Sequence, residues 1–281
     1  MEKTIQQMTK AAEVKESHAG HTKIIKEVYE ELEDIYSKLD IEEGEGIKYR
    51  IQRSQIRVIL DALTKMVSSV ITLLDSKLYE GVDPLARVVM EHAVNVMYIA
   101  ESKENERPKQ LIKHYIETTI DKSEHWHNSA KSRGDTVASD ISLKKLNVLK
   151  ELKKGHSGLY ERSVGKWPNP FRRFEALGLE DEYATLYSMN SDSIHSLSED
   201  VYNFCTIENY PDELKPHVFR NFKALNLSMS VYLGMKSVAF YALALDKVIT
   251  LLKGKYDVFQ ILTKLNEVAL EHEGENLERW S

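Results

Sequence analysis

Hydrophobic residues recur at three- and four-residue intervals along nearly the whole chain. In HTKIIKEVYEELEDIYSKL, Ile24, Val28, Leu32, Ile35 and Leu39 share one face of an amphipathic helix, and Gly44 and Gly46 then break it. The same period predicts a long helix in YRIQRSQIRVILDALTKMVSSVITLLDSKL. A further helix starts at Asp83 and Pro84, suited to an N-cap and a first helical position, and runs to about Glu101. Pro108 opens another, ended by Gly134, and a shorter one follows around ASDISLKKLNVLKELKK. GHSGLYERSVGKWPNP holds three Gly and two Pro in sixteen residues and predicts an irregular loop. Helices resume at FRRFEALG and EDEYATLYSMNSDSIHSLSEDVYNF. After a turn at NYPDELKP, a long helix runs from about His217 to Leu252, and YDVFQILTKLNEVALEH forms the last. No segment alternates as a strand would, and no repeat is present. The pattern predicts an all-α fold: a single bundle of about eight to ten helices with an irregular basic loop near 154–170. It divides into an acidic amphipathic helix over 1–46 and a helical core domain over 47–281.

Composition agrees with a globular helical chain: 281 residues, 42% hydrophobic, 29% charged, with only 12 Gly and 6 Pro. The single cysteine, Cys205, excludes an internal disulfide and a cysteine-based zinc site, and is expected to pack as a small apolar residue. The N-terminal stretch lacks the apolar core of a signal peptide, which with the cysteine scarcity points to the cytoplasm. VYLGMKSVAFYALALDKVITLL is interrupted by Lys236 and Asp246, so a buried helix is expected there rather than a membrane span.

Net charge is −6, unevenly spread. Residues 26–46 hold nine acids and two lysines, whereas residues 144–173 hold nine Lys/Arg and two Glu. These are solvated or mutually paired helix faces, or the basic stretch contacts a polyanion through Lys144, Lys145, Lys153, Lys154, Arg162, Lys166, Arg172 and Arg173.

Two helices carry polar stripes. In ARVVMEHAVNVMY, Arg87, Glu91, Asn95 and Tyr98 follow one helical register on an otherwise apolar helix. Buried charges are costly unless paired, and Arg87 and Glu91, four residues apart, are placed to pair with each other. Such a stripe either fixes helix register or walls a polar pocket. In LYSMNSDSIHSLSEDVYNF, Ser188, Ser191, His195, Ser198 and Tyr202 follow a second register beside Tyr187 and Asp192. If the stripes face each other, Arg87 would bind a phosphate and His195 or Glu91 would move a proton. No cluster has the spacing of metal ligands, and no Gly-rich phosphate loop or nucleophile elbow is present. No metal and no cofactor are therefore expected.

Arg87 and His92 also spell R-x4-H, and in this motif and its all-α pattern the chain resembles HEPN-type ribonucleases. The resemblance implies metal-independent cleavage of a phosphodiester by Arg and His, with the neighbouring 2′-hydroxyl as nucleophile. Five residues on a helix separate the two side chains by about 140°, and Arg107/His114 supplies a second match of similar spacing. A longer stretch, DPLARVVMEHAVNVMYIAES followed by VGKWPNPFRRFEALGLEDEYATLYSMNSDSIHS, resembles the bacterial domain-of-unknown-function family numbered 5677. The positions carrying it are Arg87, Glu91, Tyr98, Trp167, Tyr183, Tyr187 and His195. Its members look like intracellular proteins of bacteria and mobile elements, which implies a role in stress or phage defence.

Two functions stay open on these residues. One is a metal-independent, HEPN-like ribonuclease, acting as a homodimer. Arg87, Glu91, His92 and His195 would be its catalytic set, and the basic stretch would hold RNA. The other is a non-enzymatic helical sensor or interaction module. Its pocket, of Asn95, Tyr98, Tyr187, Ser191, Ser198 and Tyr202, would bind a small anion or nucleotide. Expected partners are RNA, a second copy of the chain and a protein from a neighbouring gene, with no membrane contact.

Overall fold

The computed structural model describes residues 1–44, 46–188 and 198–277, with only the backbone described at 198–200, 203 and 273–277. Every regular element among the described residues is helical. The helices are α1 (Glu2–Ser17), α2 (Thr22–Ser37), α3 (Arg50–Asp75), α4 (Val82–Ala100), α5 (Glu106–Ser132) and α6 (Thr136–Gly155). They are followed by α7 (Pro170–Glu175), α8, α9 (Ser198–Ile207), α10 (Lys215–Leu251) and α11 (Val258–Leu277). The α8 segment begins as a single α-turn at Glu180–Glu182 and widens into a π-helix over Tyr183–Ser188.

The centre is a packed trio. α4 lies against α10 and α3, and α10 also packs on α3, α1 and α11. α4 buries Val89, Met90, Ala93, Val94, Val96 and Ile99 against them, which is why its sequence is apolar around most of its circumference. Gly234 lets α10 approach α3 closely: a Cβ there would lie 2.5 Å from Leu74 Cδ1. α10 has the length and composition of a membrane span, but 67% of its apolar window is buried by the protein's own helices.

Some boundaries differ from the sequence pattern. The first 37 residues form two helices, parted by a 3-10 turn over His18–His21, and Ile25, Val28, Leu32 and Ile35 of α2 join the central core. α4 is capped by Gly81, not Asp83; Asp83 and Pro84 occupy its first turn, where Pro removes no intrahelical donor. Asp83 instead accepts from Ser230 Oγ on α10 at 3.4 Å. Cys205 is exposed rather than packed, as are Val201, Tyr202 and Phe204 on the same short helix, α9.

Candidate functional site

The polar stripe of α4 faces α7, α8 and the loop between α6 and α7. That loop turns into α7 at Asn169–Pro170: the Asn169 side chain accepts from the Arg172 amide at 3.0 Å, and Pro170 starts the helix. This cap aims Arg173 inwards. Arg173 is 3% exposed, donates from Nη2 to Glu91 Oε1 at 2.9 Å and from Nη1 to the Pro168 carbonyl at 3.0 Å, and lies 5.1 Å from the Trp167 ring centre. From the other side the Tyr187 hydroxyl donates to Glu91 Oε2 at 2.8 Å. Glu91 is thus held by α7 and α8, not by Arg87 one turn before it. The expected Arg87–Glu91 pair is replaced because Arg173 and Tyr187 bring donors to both carboxylate oxygens.

Arg87 is half-buried and pairs with no carboxylate among the described residues. Its guanidinium carbon lies 4.6 Å from the Tyr187 ring centre, and Nη2 is 3.4 Å from the Tyr187 hydroxyl. Tyr187 in turn stacks on Tyr183 at 5.4 Å, one turn of π-helix earlier, and tilts against the fully buried Phe174. The wider turn seats both tyrosines beside α4; π-turns of this kind are frequent at functional sites. Among the described residues, three buried polar atoms around the stripe have no hydrogen-bond partner: Arg87 Nε, Arg173 Nε and Asn95 Oδ1. Each carries a desolvation cost.

Burial raises the Tyr187 hydroxyl to about 12, with Glu91 adding to the effect, so it stays a donor at neutral pH. Burial lowers Arg173 from its ordinary value while Glu91 pulls it back. Two guanidiniums and one carboxylate leave the cluster with one excess positive charge.

The other expected positions are distributed as follows. His92 shares α4 but turns its Nδ1 to the Val88 carbonyl at 2.8 Å. Tyr98 is buried at the far end of the stripe, edge-on to Trp167 at 5.4 Å and covered by Arg107 at 4.0 Å. Ser191 and His195 lie outside the described residues, as does the side chain of Ser198. Tyr202 stands 68% exposed on α9 and does not line a buried pocket.

Of the basic stretch, Arg173 is withdrawn into the cluster and unavailable to an external phosphate chain. Arg172 pairs with Glu175 at 2.6 Å, Lys154 pairs with Glu151 at 2.7 Å, and Lys153 covers the Tyr160 ring at 4.9 Å. Lys144, Lys145, Arg162 and Lys166 are exposed, with no ion pair among the described residues. Among the described residues the acidic stretch does not pair with this region; Glu31 and Glu42 hold Lys264 and Arg57. No group of three His, Cys, Asp or Glu side chains among the described residues is arranged to hold a metal ion.

Trp167, Asn169 and Arg107 complete the surroundings without belonging to either stripe. The readable signal for the loop was Asn169–Pro170, a helix start that places Arg173 four residues on.

The fold and site thus define an all-α protein with a half-buried Arg–Glu–Arg–Tyr cluster between a core helix and a π-turn. Residues 56–213, more than half of the chain and all of this cluster, match the family described as "Family of unknown function (DUF5677)", and the chain belongs to that family. No curated protein and no solved structure matches it.

Proposed function

We propose that the seam between α4, α7 and α8 binds a small phosphate-bearing anion, making the protein a helical sensor or interaction module. The carrying observation is Arg87, a half-buried guanidinium with no carboxylate partner among the described residues and a buried Nε without a hydrogen-bond partner. A guanidinium stacked on an aromatic face keeps its donor edge free for bidentate contact with an oxyanion. Asn95 would supply its amide donors, and the Arg173–Glu91 pair holds the wall rigid.

The test is thermal unfolding with inorganic phosphate, pyrophosphate and 5′-AMP. At a hundred times the dissociation constant a ligand adds about 2.7 kcal/mol of stability. That gain is expected in the wild type and in Arg172→Met, and is expected to vanish in Arg87→Met. A gain equal in all three proteins, or none, sinks the reading.

The second reading is a metal-independent ribonuclease using the same arginine. Its support is His92: the Val88 carbonyl holds Nδ1, which leaves Nε2 to exchange a proton. Purified protein incubated with total RNA in EDTA, beside Arg87→Ala, His92→Ala and His195→Ala, separates the readings. Cleavage lost in Arg87→Ala and His92→Ala favours the enzyme; phosphate binding without cleavage favours the sensor.

A further inference from the structure

Helices α5 and α6 form an antiparallel hairpin with a small core of its own, Ile116, Ile120, Leu146, Leu149 and Leu159, separate from the central one. Among the described residues, α6 packs extensively against α5 alone. Its exposed face is strongly apolar: Val137 is 69% exposed, Ile141 52%, Val148 61% and Leu152 43%. On α5, Tyr115 and Trp126 are also exposed. In both helices the exposed row precedes the buried row by one position, as Tyr115 precedes Ile116 and Val148 precedes Leu149. Because the helices run antiparallel, that equal offset puts both rows on one side of the hairpin. A two-helix layer with such a face lacks its second layer.

We propose that a second copy of the chain docks on this face, two hairpins closing a four-helix bundle. The spacing carries the argument. Val137, Ile141, Val148 and Leu152 are separated by four, seven and four residues, a pattern that reads the same in both directions. A two-fold interface must be self-complementary. An axis crossing α6 between Lys144 and Lys145 sets Val137 opposite the partner's Leu152 and Ile141 opposite the partner's Val148. The area suffices: helices about 30 Å long and about 10 Å wide give a footprint of roughly 600 Å² per protomer. About 1,200 Å² in total clears the size of a specific interface. Lys144 and Lys145 meet their own images at the axis, stems over the apolar row and ammonium groups at the bundle's edge. The dimer is therefore weak at low salt and tightens as salt screens that repulsion.

Sedimentation of the full chain, from low micromolar to submillimolar concentration, tests this. The wild type and Leu143→Asp, which alters another side of α6, are expected to shift from one to two chains. Val148→Asp is expected to stay monomeric with unchanged helicity. In a Cys205→Ser background, Ile141→Cys/Val148→Cys should form disulfide-linked dimers. Lys144→Gln/Lys145→Gln should tighten the dimer about fivefold. A wild type that is monomeric throughout, or a dimer that survives Val148→Asp, overturns the proposal. So does weakening by the lysine substitutions, which would point to an acidic partner, or a monomer that binds anionic phosphatidylserine vesicles through Val148.

Discussion

Arg173 reaches from α7 to Glu91 on α4 at 2.9 Å, across 82 residues of sequence, while Arg87, one turn from Glu91 on the same helix, lies over the Tyr187 ring. The two arginines therefore do different work. Arg173 neutralises Glu91 and ties α7 to the core helix; Arg87 contacts Tyr187 and pairs with no carboxylate among the described residues.

That division predicts unequal costs. Glu91→Ala leaves the Arg173 charge buried without its partner and should lower unfolding free energy in urea by roughly 2 to 3 kcal/mol. This is less than for a fully buried pair because Glu91 keeps some solvent contact. Glu91→Leu combined with Arg173→Met should cost clearly less than the sum of the single changes. Additive losses would mean that the pair is not coupled.

Arg87→Met removes a cation–ring contact and a long hydrogen bond to the Tyr187 hydroxyl, and no ion pair among the described residues. It should cost about 1 kcal/mol or less in the same assay. A loss as large as that of Glu91→Ala would make Arg87 a structural residue and remove the ground for an anion site.

Acid should destabilise the seam between the chain's two ends. His272 on α11 is buried; its Nε2 is 3.0 Å from His21 Nδ1, and its Nδ1 is 3.5 Å from Ser228 Oγ on α10. The His18 ring is 3.8 Å away, Tyr232 is 5.9 Å away, and Glu271 faces His21 at 3.1 Å. Burial first, then the electrostatic influence of the neighbouring His18 and His21, pushes His272 down to about 3 from its ordinary 6.5. Between those values the unfolded chain takes up a proton that the native protein refuses. Stability from this group is complete above about pH 6.5 and falls as pH drops towards 3, by up to about 1.4 kcal/mol per unit. Urea midpoints at pH 7.5 and pH 5 should separate more in the wild type than in His272→Gln. Equal separations would assign the acid sensitivity to other groups.

Gly234 should resist even alanine. The added methyl meets Leu74, itself buried, and overpacking of about 1 to 3 kcal/mol exceeds the gain in helix propensity of up to about 1. A lower thermal midpoint for Gly234→Ala, partly recovered by Leu74→Val, is the expected outcome. An unchanged midpoint would show that α3 and α10 can separate freely.

The helices were legible from the chain alone because a 3.6-residue period is a local property. α3, α5 and α10 lie close to where apolar spacing put them, and the α4 stripe was readable from Arg87, Glu91, Asn95 and Tyr98. The partner of that stripe was not. Arg173 sits in a run of basic residues and reads as surface charge; only the path of the Trp167–Asn169 loop, which has no period, turns it inwards. Tyr187 was visible as a polar residue, but its hydroxyl reaches Glu91 from a π-turn that no spacing rule forecasts. Hydrophobic pattern determines which face of each helix is buried. Which charges meet across those faces depends on distances between residues far apart in sequence, and only the packed tertiary structure decides them.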